Sequence, residues 1–207
     1  MTNPMTRLLI ATTNLHKVRE IRAVLRAHFP SDILTLHDFP DYRVPEERGK
    51  TFEENAALKA LSAASALKEW VLADDSGLVV PALGGAPGIR SARYAGEGAG
   101  DQENRVKLLE ELEKIDESER KGYYVCAMAL ASPEGIRAEV RGCCFGTLIT
   151  TPGGGGGFGY DPLFRKYGYG KTFAEMGEEI KNRVSHRRKA LDKLLSAIGR
   201  LRKRALL

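Results

Sequence analysis

Cysteine is scarce in this chain of 207 residues: only Cys126, Cys143 and Cys144 occur. An odd count with no C-x-x-C spacing argues against a disulfide framework and against a zinc site. Free thiols, buried or half-buried, are the expectation. Long apolar runs are missing too, and none approaches the roughly 20 residues that a membrane helix needs. The start, Met1 to Arg7, is short and polar, and the apolar stretch after it is only Leu8 to Ala11. That is no secretory signal, so a cytoplasmic protein without a membrane partner is expected. Internal repeats and long disordered linkers are also lacking.

What is present is ordinary globular material, 43% hydrophobic and 29% charged, enough for one domain with its own core. The net charge of +5 is unevenly placed. Ten Lys/Arg face one acid, Asp192, between Lys181 and Arg204, while the remainder holds 22 basic against 26 acidic residues, a balance of −4. This basic end, with Arg200, Arg202, Lys203 and Arg204, is either a solvated helix face or an attractor of polyanions.

Leu8–Thr12 reads as a buried strand, and Val18, Ile21, Val24 and Leu25 recur at helical spacing over about 15–28. Ile33 to Leu36 reads as a second strand and Asp38 to Lys50 as an exposed loop. Thr51 and Glu54 form a capping-box pattern before an Ala-rich helix. Val71–Ala73 reads as a strand ending at Asp74-Asp75-Ser76-Gly77, with Leu78 to Val80 extended beyond it. Gly84 to Gly88 forms a turn, 101–114 a helix, and Tyr123–Ala131 and Ile136–Ile149 two strands joined at Pro133-Glu134-Gly135. A last helix runs from about Ser185 to Leu201. Strands interleaved with helices, then a strand pair, predict an α/β fold with a mixed sheet.

Two glycine patterns invite false readings. Gly49-Lys50-Thr51 and Gly170-Lys171-Thr172 end like a P-loop but lack its leading glycine, where Val44 and Arg165 stand. Gly154, Gly156 and Gly159 match G-x-G-x-x-G, yet Asp161-Pro162 follows where a dinucleotide fold needs a helix. The rings of Phe158 and Tyr160 within this loop either stack on a ligand base or anchor the loop to the core.

Asp74-Asp75 offers a different chemistry. Adjacent carboxylates on a strand point to opposite sides, so one can face a ligand while the other packs. Their proximity needs compensating positive charge, for which Mg²⁺, with its preference for oxygen ligands, is suited. A plain Asp-Ser-Gly turn is the alternative. Glu46-Glu47 could add a second metal ligand or be an exposed acidic loop. Ser185-His186-Arg187 is no hydrolase triad, because helix neighbours point about 100° apart. Ser185 is an N-cap candidate, with His186 and Arg187 near a helix start and Lys181 and Lys17 as further cations.

In order along the chain stand Thr12-Thr13-Asn14-Leu15-His16-Lys17, Thr51-Phe52-Glu53-Glu54-Asn55-Ala56, Ala73-Asp74-Asp75-Ser76-Gly77-Leu78, Leu83–Gly88 with Ser91-Ala92-Arg93-Tyr94, Gly157–Pro162, and Ser185-His186-Arg187. This set resembles the inosine triphosphate pyrophosphatase family, the non-standard purine nucleotide pyrophosphatases. The resemblance implies a single domain over residues 1–207, with no separable linker. It implies a mixed, elongated central sheet flanked by helices, and two lobes with the active-site cleft between them. It also implies a homodimer, Mg²⁺ dependence, and hydrolysis of ITP, dITP and XTP to the monophosphate and pyrophosphate, which cleanses the nucleotide pool of deaminated purines.

By position Asp75 matches the catalytic base and metal-associated carboxylate, and Glu47 the second metal contact. Thr12, Thr13, Asn14 and Lys17 match the phosphate turn, and Ser76 a further substrate contact. Phe158, Gly159, Tyr160 and Asp161 match the base-holding segment, with Phe158 as stacking ring. Lys181, His186 and Arg187 match the remaining nucleotide contacts; hypoxanthine and xanthine carry an oxygen at position 6, which Arg187 or His186 can satisfy. Two departures are Thr13, where many members have glycine, and the unbroken glycine run Gly153–Gly157. Within the enzyme class the rival is a Maf-like pyrophosphatase for modified pyrimidine nucleotides. A stable nucleic-acid partner is not expected, since no nucleic-acid-binding motif accompanies the basic end.

Overall fold

A computed structural model describes residues 5–28 and 32–203. Arg204, the last cation of the basic end, lies outside them. Among the described residues, six strands and five α-helices follow one another as β1 (Arg7–Ile10), α1 (Leu15–Leu25), β2 (Asp32–Thr35), α2 (Phe52–Leu67), β3 (Val71–Val79), α3 (Asp101–Leu112), β4 (Lys121–Ser132), β5 (Gly135–Leu148), β6 (Phe164–Lys166), α4 (Gly177–Val184) and α5 (His186–Lys203), with short 3-10 turns between them. The strands form one mixed sheet in the order β2-β1-β3-β4-β5-β6. The first strands are parallel, with Leu9 opposite Leu34 on one side and Val71 on the other. β5 and β6 are antiparallel, pairing Thr147 with Arg165. The expected α/β fold with a mixed sheet is what forms.

Two compact units are present, and neither is a single stretch of chain. Unit 1 comprises Met1–Asp75, Cys126–Gly142 and Arg187–Leu207; unit 2 comprises Ser76–Val125 and Cys143–His186. Each has its own core. In unit 1 the periodic residues Val18, Ile21, Val24 and Leu25 of α1 meet Leu72, Met128 and the Ala190, Leu191 and Leu194 stripe of α5. In unit 2 Leu108 and Leu112 of α3 pack with Tyr124, Tyr160, Phe164 and Phe173. Cys126 and Cys144 are buried, Cys143 is half-buried, and none of the three is in a disulfide. No helix among the described residues is long and apolar enough to cross a membrane.

Local chemistry explains the helix starts that matter for the site. Asn14 accepts the His16 and Lys17 N–H groups at 3.0 and 3.2 Å, capping α1. Thr51 accepts the Glu54 N–H at 3.1 Å and so caps α2. The Glu54 carboxylate reaches the Lys50 N–H, at 2.6 Å, so only half of the expected capping box forms. Thr51→Ala should lower stability by about 1 kcal/mol, seen as a lower urea midpoint at unchanged slope. An unchanged midpoint would show that the helix does not depend on this cap.

Three elements differ from expectation, one of them the three-residue β6, for which the sequence predicts nothing. β3 does not stop at Asp74 but runs unbroken from Val71 to Val79, which removes the turn reading of Asp74–Gly77. Asp is poorly suited to strands, so two of them in a buried strand interior break a local rule. Such breaks mark functional positions. The third difference is α4, an eight-residue helix that carries Lys181. Ser185, extended at φ −70° and ψ 165°, separates it from α5.

Candidate active site

Strand alternation on β3 sends its two aspartates to different partners. Asp74 is fully buried and meets Lys17 Nζ at 3.1 Å and Arg187 at 3.4 Å. Burial pushes its carboxyl up, but Lys17, Arg187 and Lys59 outweigh that and hold it well below the usual carboxylate range. Its second oxygen, Oδ1, is buried with no hydrogen-bond partner among the described residues. Lys17 sits in the first turn of α1, where a cation opposes the helix dipole. The Asp74 carboxylate offsets that conflict.

Asp75 faces α2. Asn55 Nδ2 donates to one oxygen at 3.1 Å, and Lys59 Nζ lies 3.3 Å from the other. The same ammonium donates to Glu47 at 2.7 Å. Burial raises the Asp75 carboxyl above its ordinary value, and Glu47 adds to this, against the opposing pull of Lys59 and Lys17. Burial lowers the Lys59 ammonium, but Asp75, Asp74 and Glu47 more than reverse that. Asp75 and Glu47 are thus two carboxylates gathered on one ammonium. Among the described residues no group of three or more His, Cys, Asp or Glu converges as a ready-made metal cage. Two carboxylates with further positions left to water and phosphate is how Mg²⁺ is ordinarily held, so the donor set fits that ion.

Arg187, at 1% exposure, donates to Glu20 of α1 and to Asp74. Burial alone would lower its affinity for the proton, but Glu20 and Asp74 raise it, so it is a permanent cation. Its guanidinium therefore ties α5 to α1 and to β3.

In unit 2 the segment Phe158–Asp161 is built around Asp161. That buried carboxylate accepts the Phe158 N–H at 3.0 Å and Lys181 Nζ at 2.6 Å, with the Tyr124 hydroxyl at 3.4 Å. Lys181 Nζ also lies 4.4 Å from the centre of the Phe158 ring, a cation–π contact. Tyr124 in turn stacks on His186, ring centres 4.7 Å apart and 10° from parallel. The two aromatics of the loop separate in role. Tyr160 is buried and donates its hydroxyl to the Ser91 carbonyl at 2.8 Å, an anchor. Phe158 is only half-buried, with Lys181 over its ring. The glycine run before it is tied back, with the Gly153 and Gly156 N–H groups donating to Pro162 and Ala174 carbonyls.

A Cβ on Gly157 would lie 2.1 Å from Asp161 Oδ2, at a φ of +74° that side chains rarely adopt. Gly157→Ala must therefore push Asp161 off Lys181 and the Phe158 N–H. Amide hydrogen exchange over residues 153–163 should quicken at least tenfold. Unchanged exchange would mean that this carboxylate does not shape the segment.

Of the residues singled out from sequence, unit 1 brings Lys17, Glu47, Asp75 and Arg187 into one charged cluster, and unit 2 gathers Phe158, Asp161, Lys181 and His186. Thr12 and Asn14 shape the turn before α1, the Thr12 hydroxyl accepting the Asn14 N–H at 3.3 Å. Thr13 is exposed there, and Ser76 is half-buried on β3. Sequence reasoning missed Glu20, Asn55, Lys59 and Tyr124. Asn55 and Lys59 carried a usable signal, being polar residues four apart in an Ala-rich helix, on the face that buries Ala56, Ala60, Ala63 and Ala64.

Comparison with known proteins bears on what this geometry serves. The family model described as the Ham1 family matches residues 8–197. A dITP/XTP pyrophosphatase of Protochlamydia amoebophila is 52% identical over 196 residues, covering 94% of this chain and 98% of its own. One from Geobacter sulfurreducens is 51% identical over 195 residues, with 94% and 98% covered. Among solved structures, the Ham1 protein of Staphylococcus aureus superposes with a TM-score of 0.82 at 38% identity, covering 93% of this chain and 98% of its own. A HAM1 protein of Coxiella burnetii gives 0.85 at 37%, covering 95% and 100%.

Proposed function

Since the chain belongs to the Ham1 family, we propose that it hydrolyses non-standard purine nucleoside triphosphates (ITP, dITP and XTP) to the monophosphate and pyrophosphate. It is a nucleoside triphosphate pyrophosphohydrolase, a hydrolase acting on an acid anhydride, like the relatives named dITP/XTP pyrophosphatase. The observation that carries this reading is the charge alternation of Lys59 between Asp75 and Glu47, with Lys17 on the neighbouring Asp74. A triphosphate needs both signs: cations to neutralise its oxygens and a carboxylate to take a proton from water.

Asp75 is the catalytic base. Its raised carboxyl accepts a proton more readily than an ordinary aspartate while Asn55 and Lys59 hold its orientation. The attacking water bonds to the α-phosphorus, its proton goes to Asp75, and the bond from that phosphorus to the bridging oxygen breaks, releasing pyrophosphate. Lys17 and Lys59 offset the charge of the phosphates. Asp75 and Glu47 would hold Mg²⁺, which supplies Lewis-acid neutralisation of phosphate oxygens when bound.

The base is assigned to Phe158 for stacking, with Gly159, Tyr160, Asp161 and Lys181 shaping that segment. His186 is the donor we assign to the oxygen at purine position 6, because the Arg187 guanidinium is already committed to two carboxylates. Adenine offers an amino group there, and a donor left facing a donor costs about 1–3 kcal/mol, some ten- to a hundredfold in selectivity. The family reading also carries a homodimer in the cytoplasm, and nothing in the comparisons favours the Maf-like alternative. The test is pyrophosphate release from ITP, dITP, XTP, GTP and ATP with Mg²⁺. Fast release from the first three alone supports the assignment; release from none of the five, or equal release from all, overturns it.

A further inference from the structure

We propose that Asp101 and Arg105 of α3 form a two-point clamp on Gly159 that positions the Phe158 ring for the substrate base. The inference rests on the nucleotide reading above and assigns two residues that the sequence did not single out. Asp101 Oδ2 accepts the Gly159 N–H at 2.6 Å, and Arg105 donates to the Gly159 carbonyl at 2.8 Å. The two side chains are four apart on the helix and so share a face. The N–H belongs to the peptide joining Phe158 to Gly159, and the carbonyl to the peptide joining Gly159 to Tyr160. One helix face therefore fixes both peptide planes around a residue whose φ is +59°. Without such ties a glycine moves freely between backbone regions.

The clamp acts on Phe158 because the Gly159 N–H that Asp101 holds belongs to the peptide that Phe158 itself begins. Tyr160 is held by Ser91, and Asp161 by Lys181. Phe158 is held through its N–H and the Lys181 cation, with its ring half-buried. Turning the peptide between Phe158 and Gly159 would tilt that ring away from a stacked base. The helix that grips it is itself fixed. Asn104 accepts the Ala95 N–H at 2.8 Å and donates to the Ala92 carbonyl at 3.2 Å, and Leu108 and Leu112 are fully buried. Asp101 and Arg105 are positioning residues, acting through Gly159 on the base and not on the phosphates.

A clamp of this kind contributes to binding equally in the ground and transition states, so its loss should raise KM and spare kcat. Arg105→Ala and Asp101→Ala are each expected to raise the KM for ITP about tenfold, with kcat within about twofold of wild type. Asp101→Asn keeps an acceptor oxygen and should restore most of the loss, which a purely charge-based role would not allow. Amide hydrogen exchange over residues 153–163, measured without nucleotide, should quicken in both alanine variants and not in Asp101→Asn. If exchange and KM are both unchanged in Arg105→Ala, or if kcat falls while KM holds, the clamp is wrong. Wild-type protein that releases no pyrophosphate from ITP overturns the nucleotide reading, and with it the stated purpose of the clamp. The exchange comparison still decides whether the clamp itself exists.

Discussion

Asp75→Asn is expected to lower kcat for pyrophosphate release from ITP about a thousandfold while leaving the protein folded. The magnitude sits within the 10²–10⁴ that a positioned general base contributes. The second half of the prediction comes from the electrostatics. Burial raises the Asp75 carboxyl above its ordinary value, so the charged form is the disfavoured one in the fold. A neutral amide of the same shape removes that cost, and Lys59 keeps Glu47 as a partner. The thermal midpoint should therefore hold or rise, as calorimetry would read it. A large drop in midpoint together with lost activity would recast Asp75 as a structural residue. Retained turnover would remove it as the base.

Arg187→Ala should do the reverse and act first on stability. The substitution strands Glu20 and Asp74 as buried carboxylates stripped of their guanidinium. Breaking a buried pair from one side costs about 3–5 kcal/mol. For a chain of this size that is roughly a 10 °C fall in midpoint. Arg187→Lys should recover only part, since a single ammonium cannot serve two carboxylates as a planar fork does. The pH dependence has a definite sign. Asp74 lies below the ordinary carboxylate range in the fold, so its contribution is complete at neutral pH. It is lost progressively as pH falls below the ordinary carboxylate value and through the depressed folded one. Without Arg187 the value moves back up, and acid unfolding should begin at a higher pH. A loss of under about 1 kcal/mol, with an unshifted acid limb, would contradict the buried-network account.

How much of this was visible beforehand depends on the range of each interaction. Helices α1, α2 and α3 announce themselves through periodic apolar residues and local caps, and the structure places them close to expectation. Asp75, Lys17 and the Phe158 segment stand in recognisable local patterns. α4 was not foreseen, because eight residues with exposed Ile180 carry no apolar stripe. Glu20 was invisible for a different reason. Its partner is 167 positions away, and a lone acid in a helix otherwise reads as solvent-facing. The clamp on Gly159 has the same character, since a backbone group as partner leaves no trace in the identities of the residues that hold it. The sequence leaves β3 ending near Asp74, with a turn as the alternative, because Asp-Asp-Ser-Gly is good turn chemistry; that the strand runs on to Val79 is decided by pairing with its neighbours.

The chain changes unit four times, between Asp75 and Ser76 in β3, Val125 and Cys126 in β4, Gly142 and Cys143 in β5, and His186 and Arg187 at the start of α5. Neither unit corresponds to an uninterrupted stretch of gene. Recombination at a single crossover cannot graft either unit alone and intact onto another protein, because any one cut leaves part of unit 1 on each side of it, and truncation from either end erodes unit 1 before it reaches unit 2.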